Sequence, residues 1–142
     1  MKLLVDTSVW SLALRRKRAA SLNPTEQRLV ALLADAIHEG QVMMLGPIRQ
    51  ELLSGIKEKT HFEELRKSLR DYRDEPLDSH DHEEAARFYN LCRSRGVECG
   101  PIDILLCSVA IRRGWQLISH DRGLDRCMEI LDPGRRSLHK RQ

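Results

Sequence analysis

Four carboxylate residues, Asp6, Glu51, Asp103 and Asp121, each stand just past an apolar stretch or in the first turns of the helix that follows one. They are far apart in the chain, yet a parallel α/β arrangement would bring all four to one edge of one sheet. Carboxylates gathered in that way repel one another unless a cation lies among them. Oxygen donors of this kind suit Mg²⁺ or Mn²⁺, which keep several waters and polarise phosphoryl oxygens. The chemistry to expect is metal-assisted hydrolysis of a phosphodiester.

Each acid also has a bland reading. Asp103 would complement a helix dipole, Glu51 would be an exposed helix charge, and Asp6 and Asp121 would form turns after strands. The argument for a site is that the pattern repeats at four separate junctions.

The elements that must position these residues alternate between strand-like and helix-like patterns, which predicts βα units and a central parallel sheet flanked by helices. Lys2–Val5 reads as the first strand, and a helix capped by Ser8 follows through Leu14. After a charged Arg15-Arg16-Lys17-Arg18 segment, Pro24 opens a second helix with Leu29, Leu32, Leu33, Ala36 and Ile37 at helical spacing, and Gly40 ends it. Gln41–Leu45 reads as the second strand. Gly46-Pro47 then starts a helix with Ile48, Leu52 and Ile56 on one face and Glu51 in its second turn. Helices are predicted over Thr60–Tyr72, His82–Arg95 and from Pro101 to Gly114, with Glu75–Leu77 as a short strand. Trp115–Ser119 is read as a strand, Asp121–Cys127 as a short turn or helix, and Met128–Leu131 as a last strand. In such a sheet the functional edge lies beyond the carboxyl ends of the strands, where these acids fall.

The chain as a whole is compatible with this. Its 142 residues suit one domain over 1–142 with a polar tail from about 133. The apolar run from Ile102 to Ile111 is too short to span a bilayer, and Asp6 interrupts the N-terminal apolar run before a signal-peptide core develops. A cytoplasmic location without membrane attachment is the expectation. Cys92, Cys99, Cys107 and Cys127 include no CxxC pair and are expected to be reduced thiols. Six of the 24 basic residues are lysines, leaving 18 arginines, whose planar fork suits phosphate. Clusters at 15–18, Arg112-Arg113, Arg135-Arg136 and Lys140-Arg141 combine with an acidic metal centre to favour a polyanionic substrate, although each alone reads equally well as a solvated surface.

Four segments recur in a family order: Leu4-Val5-Asp6-Thr7-Ser8, Glu51-Leu52-Leu53-Ser54-Gly55, Asp103-Ile104-Leu105-Leu106-Cys107-Ser108-Val109-Ala110 and Leu117-Ile118-Ser119-His120-Asp121. In this the chain resembles a PIN-domain ribonuclease, over roughly Lys2 to Leu131, and in size the VapC toxins of toxin–antitoxin pairs. The resemblance implies a Mg²⁺- or Mn²⁺-dependent endoribonuclease with Asp6, Glu51, Asp103 and Asp121 as catalytic acids. Asp6 and Asp103 would be the metal ligands, with Glu51 and Asp121 completing the shell directly or through water. It also implies a sheet of about five strands, RNA as substrate, a homodimer, and inhibition by a cognate antitoxin in a groove between the helices after the first two strands, with an arginine presented to the acids. Supporting roles would fall to Thr7 or Ser8, either of which would hold Asp6, and to Ser119. Arg49 is a candidate for substrate contact, with surface solubility as the plainer role. The last motif departs from the family pattern, because Gly123-Leu124 replaces an acid-aromatic pair; Asp125 could supply the charge from a shifted position.

Other readings compete. A PIN-like module that binds RNA or protein without turnover would not need clustered carboxylates facing a polyanion. His61, His80-Asp81, Asp103 and His120-Asp121 follow the order of an HD-type metal phosphohydrolase, but that fold is all-helical and three segments here read as strands. His80, His82, Cys92 and Cys99 match no standard zinc spacing. No glycine-rich phosphate loop is present, no cysteine is marked as a nucleophile, and Trp10 and Trp115 sit beside apolar segments as core residues do.

Overall fold

The computed structural model describes residues 1–14 and 21–135. The Arg15–Arg18 cluster, Arg136 and the Lys140-Arg141 pair lie outside these residues.

Three parallel strands, β1 (Leu3–Val5), β2 (Val42–Met43) and β3 (Gln116–Ile118), form a sheet in the order β2-β1-β3. Leu3 pairs with Val42 on one side and with Gln116 on the other. Leu3, Leu4 and Val5 are all buried, as expected of a central parallel strand covered on both faces. Seven helices surround the sheet: α1 (Thr7–Leu14), α2 (Pro24–His38), α3 (Gly46–Leu53), α4 (Lys59–Leu69), α5 (Ser79–Ser94), α6 (Pro101–Arg113) and α7 (Arg122–Leu131).

The strand order has one consequence for function. From β1 the chain leaves toward β2 and later returns to pair β3 on the opposite edge of β1. The carboxyl end of β1 is therefore the point where the winding reverses, and crevices in open α/β sheets form at such points. Asp6 occupies that position, its N–H donating to the Ile118 carbonyl at 3.0 Å while its own carbonyl accepts from Val9 and Trp10 to start α1.

Helix starts follow local rules. Asn23 and Glu26 form a reciprocal capping box ahead of α2 with Pro24 in the first turn. Asp78 and Asp81 do the same for α5, which begins at Ser79 rather than at His82 because this box satisfies the first amides three residues earlier. Gly114 ends α6 in the left-handed region at φ 67°. The face of α6 from Ile104 to Ala110 is buried throughout, and Trp10 and Trp115 join the same hydrophobic cluster.

Two predicted strands are absent. Met128–Leu131 belongs to α7, because Leu124, Cys127 and Met128 repeat at helical spacing on one buried face and Asp121 caps the helix. Glu75–Leu77 is reduced to an isolated parallel bridge between Met44 and Asp74, with the Glu75 amide donating to the Met44 carbonyl at 2.9 Å. Pro76 has no amide to continue the ladder. The sheet thus has three strands among the described residues, against about five expected.

A buried ion pair fastens the helical layer. Asp81, 1% exposed, accepts from Arg113 Nη1 at 2.7 Å and from Arg112 Nη1 at 3.1 Å, tying α5 to the end of α6. Hydrogen bonding from Arg113 holds the Asp81 carboxyl far below the usual carboxylate range.

Candidate active site

Asp6 is the buried floor of the site. Its Oδ2 accepts from Ser8 Oγ at 2.6 Å and Ser119 Oγ at 2.9 Å. Both serines act beyond Asp6: Ser8 Oγ accepts from the His120 amide at 2.9 Å, and Ser119 Oγ accepts from the Asp121 amide at 2.9 Å. The two hydroxyls lock the end of β1 to the β3–α7 junction. Ser8 lies inside α1 rather than capping it, since the helix already starts at Thr7 and the hydroxyl is committed to Asp6. Thr7 does not hold Asp6; its Oγ1 donates to Glu51 Oε2 at 2.7 Å and orients that side chain from α1 across to α3.

Asp103 sits in the first turn of α6, after Gly100 and Pro101. Burial is the main cause that pushes its carboxyl up to about 6, and the charges of Asp6, Asp121 and Glu51 add to it in that order. A carboxylate at a helix N-terminus would otherwise be favoured as an anion. The upward shift therefore records how closely the other three acids approach, and the four predicted acids do meet at one place.

Asp121 has two tasks. It is the N-cap of α7, with Oδ1 accepting from the Gly123 amide at 2.7 Å and the Leu124 amide at 3.2 Å. A Cβ at position 123 would stand 3.1 Å from that oxygen, so the glycine that departs from the family motif leaves room for the cap. One oxygen of Asp121 is thereby committed to the helix, and the cap follows from the residue types at 121–124.

The site grades from buried Asp6 through half-buried Asp103 to exposed Glu51 and Asp121. Four hard oxygen donors of like charge, one of them pushed toward protonation by the rest, fit a divalent cation by donor chemistry. As they stand, no three His, Cys, Asp or Glu side chains among the described residues are arranged to hold a metal ion. The two observations differ because one concerns electrostatic range and the other ligand distance. We give more weight to the charge coupling, since side-chain rotation closes such a gap. That outcome also leaves His80, His82, Cys92 and Cys99 without a zinc arrangement.

Arg49 is anchored elsewhere. Its Nε donates to Asp74 at 2.9 Å, Nη1 to the Leu69 carbonyl at 2.9 Å and Nη2 to the Tyr72 carbonyl, tying α3 to the segment after α4. A groove of about 470 Å³ between α1, α3 and α4, with Leu14, Leu52, Ile56 and Leu65 in its walls, opens beside Glu51.

A parallel sheet that reverses at β1, with acids beyond its carboxyl edge, defines an acidic α/β nuclease-like site, and family comparison agrees. The PIN domain model matches residues 3–129, and the chain belongs to that family. Among solved structures, the crystal structure of FitAcB from Neisseria gonorrhoeae superposes with a TM-score of 0.70 at 20% identity, covering 90% of this chain and 94% of that one. No curated protein matches.

No helix among the described residues is long and apolar enough to cross a membrane.

Proposed function

We propose that the chain is a metal-dependent endoribonuclease acting as the toxin of a toxin–antitoxin pair. The observation that carries this reading is the coupling of Asp103 to Asp6, Asp121 and Glu51 at the winding reversal of the sheet. Asp6 and Asp103 would hold Mg²⁺ or Mn²⁺, with Glu51 and the free oxygen of Asp121 completing the shell. When bound, such an ion supplies Lewis acidity toward a phosphodiester and lowers the pKa of water.

The chain's own residues do the rest. Ser8 and Ser119 donate to Oδ2 of Asp6 and so present its other oxygen, Oδ1, which no donor among the described residues reaches. Thr7 fixes Glu51 at the mouth. Asp103 gives up its carboxyl proton when positive charge enters among the four acids. Arginines at the site's edge, Arg122 at the start of α7 among them, hold the RNA backbone, whereas Arg49 would have to leave Asp74 and two carbonyls to do so.

The antitoxin would lie in the groove between α1, α3 and α4. Glu51 and Glu64 line it beside leucine and isoleucine, which suits an amphipathic segment carrying an arginine. Purified protein should cleave RNA with Mn²⁺, and EDTA or Asp6→Ala should abolish cleavage. RNA binding that survives Asp6→Ala, with no cleavage by wild type at any metal concentration, would favour the binding-module reading. A bound partner that leaves Leu52 and Leu65 exposed would remove the groove assignment.

A further inference from the structure

All four cysteines of the chain gather behind the acidic site although they come from different elements. Cys92 lies on α5, Cys99 in the loop before α6, Cys107 within α6 and Cys127 within α7. None is bridged. The Cys127 thiol is within side-chain hydrogen-bond reach of both Cys92 and Cys99. Cys92 Sγ also lies 4.0 Å from the Cys127 carbonyl oxygen. Cys92, Cys107 and Cys127 are buried, while Cys99 is partly open to solvent, with its Sγ 3.8 Å from the Gly100 carbonyl oxygen.

Three chemistries are open to adjacent thiols. A thiophilic metal needs at least three converging donors, and no such group is present among the described residues. Nucleophilic attack on a substrate needs a thiolate at rest, and burial pushes Cys99 up to about 11 and Cys127 up to about 12. Oxidation to a disulfide needs only one sulfur open to the oxidant and a second beside it. Cys99 and Cys127 meet that requirement, and the buried pair Cys92 and Cys127 does not. The Cys127 S–H also donates toward the Cys99 sulfur, which favours the thiolate on the exposed member.

We propose that Cys99 and Cys127 form an oxidation site, in which a peroxide oxidises Cys99 and Cys127 resolves it to an intramolecular disulfide. In the first step Cys99 Sγ attacks a peroxide oxygen and the O–O bond breaks. For hydrogen peroxide, the leaving hydroxide takes the thiol proton as water, and Cys99 becomes a sulfenic acid. In the second, Cys127 Sγ attacks the Cys99 sulfur, the S–S bond forms and the S–O bond breaks. The hydroxyl leaves with the Cys127 proton as a second water. Two thiols are thereby oxidised by two electrons and one hydrogen peroxide is reduced. Because both thiols are protonated at neutral pH, the reaction is slow and speeds up as pH rises. The bond would staple the loop four residues before Asp103 to the helix that Asp121 caps.

The test uses the full chain treated with hydrogen peroxide under native conditions, alkylated and digested for mass spectrometry. The expected result is a Cys99–Cys127 peptide pair with two thiols lost per chain. The unfolding midpoint should rise and return with dithiothreitol. Cys99→Ser, at a partly exposed position, should fold as wild type and show neither the pair nor the rise. The proposal is overturned by a Cys92–Cys127 or interchain bond as the main product, by oxidation that stops on Cys99, or by no thiol loss at mildly alkaline pH.

Discussion

Replacing Asp103 by Asn should stabilise the metal-free protein while ending its chemistry. Asp103 holds its proton up to about pH 6, against an ordinary value of 3.8, so the folded chain binds that proton more tightly than the unfolded one. Below about pH 4 both states are protonated and the group costs nothing. The cost grows as pH rises from about 4 to about 6 and is complete above that. A shift of about two units corresponds to at most about 3 kcal/mol at about 1.4 kcal/mol per unit. The carboxyl is only half-buried, so solvent screening leaves about 1–2 kcal/mol. Asn keeps the shape and removes the charge. In EDTA, urea unfolding of Asp103→Asn should show a gain of about 1–2 kcal/mol at pH 7.5 and none at pH 4. Saturating Mg²⁺ should raise wild-type stability by mass action and shrink the difference. Cleavage of RNA by the variant should be absent. A variant no more stable than wild type at pH 7.5 in EDTA, or a gain of equal size at pH 4, would refute the claim that the four carboxylates are electrostatically coupled.

Four further outcomes follow from the contacts. Asp121→Asn should keep the α7 cap and lose cleavage, whereas Asp121→Ala should lose cleavage and about 1 kcal/mol of stability as well, measured by thermal unfolding. Ser119→Ala removes a donor to Asp6 and the acceptor of the Asp121 amide, and should weaken the metal requirement for cleavage roughly 10–100-fold in a Mn²⁺ titration. Asp81→Ala strands two arginines and should cost about 3–5 kcal/mol in urea unfolding. Asp81 is held far below its ordinary pKa, so its contribution is full above about pH 4 and is lost only as pH falls through the depressed value in strong acid. Arg49→Ala should lower stability by about 1–3 kcal/mol and leave RNA binding in a filter assay unchanged, because its guanidinium anchors the chain after α4.

The residues that carry chemistry were legible in the chain because each is tied to a local signal. Asp6 ends an apolar run, Asp103 follows a Gly-Pro helix start, and Asp121 precedes a helix it caps. The same locality explains the misreadings. Met128–Leu131 is a short apolar run whose period is ambiguous until the buried face of α7 is known, and Glu75–Leu77 has strand-like neighbours but a proline where the ladder needs a donor.

Residue types and helix and strand signals were enough to determine a parallel α/β chain with acids at its junctions. Which hydroxyl serves which acid was decided by the tertiary structure, which gave Thr7 to Glu51 and gave Ser8 and Ser119 to Asp6. Folding alone also made Arg49 an anchor, paired Asp81 with two arginines, and gathered four scattered cysteines into one cluster. The physical reason is range. Capping and periodicity act within about one helical turn and are written in neighbouring residues. Partner choice and electrostatic coupling depend on distances between elements, set only when the sheet reverses its winding at β1 and the helices pack around it.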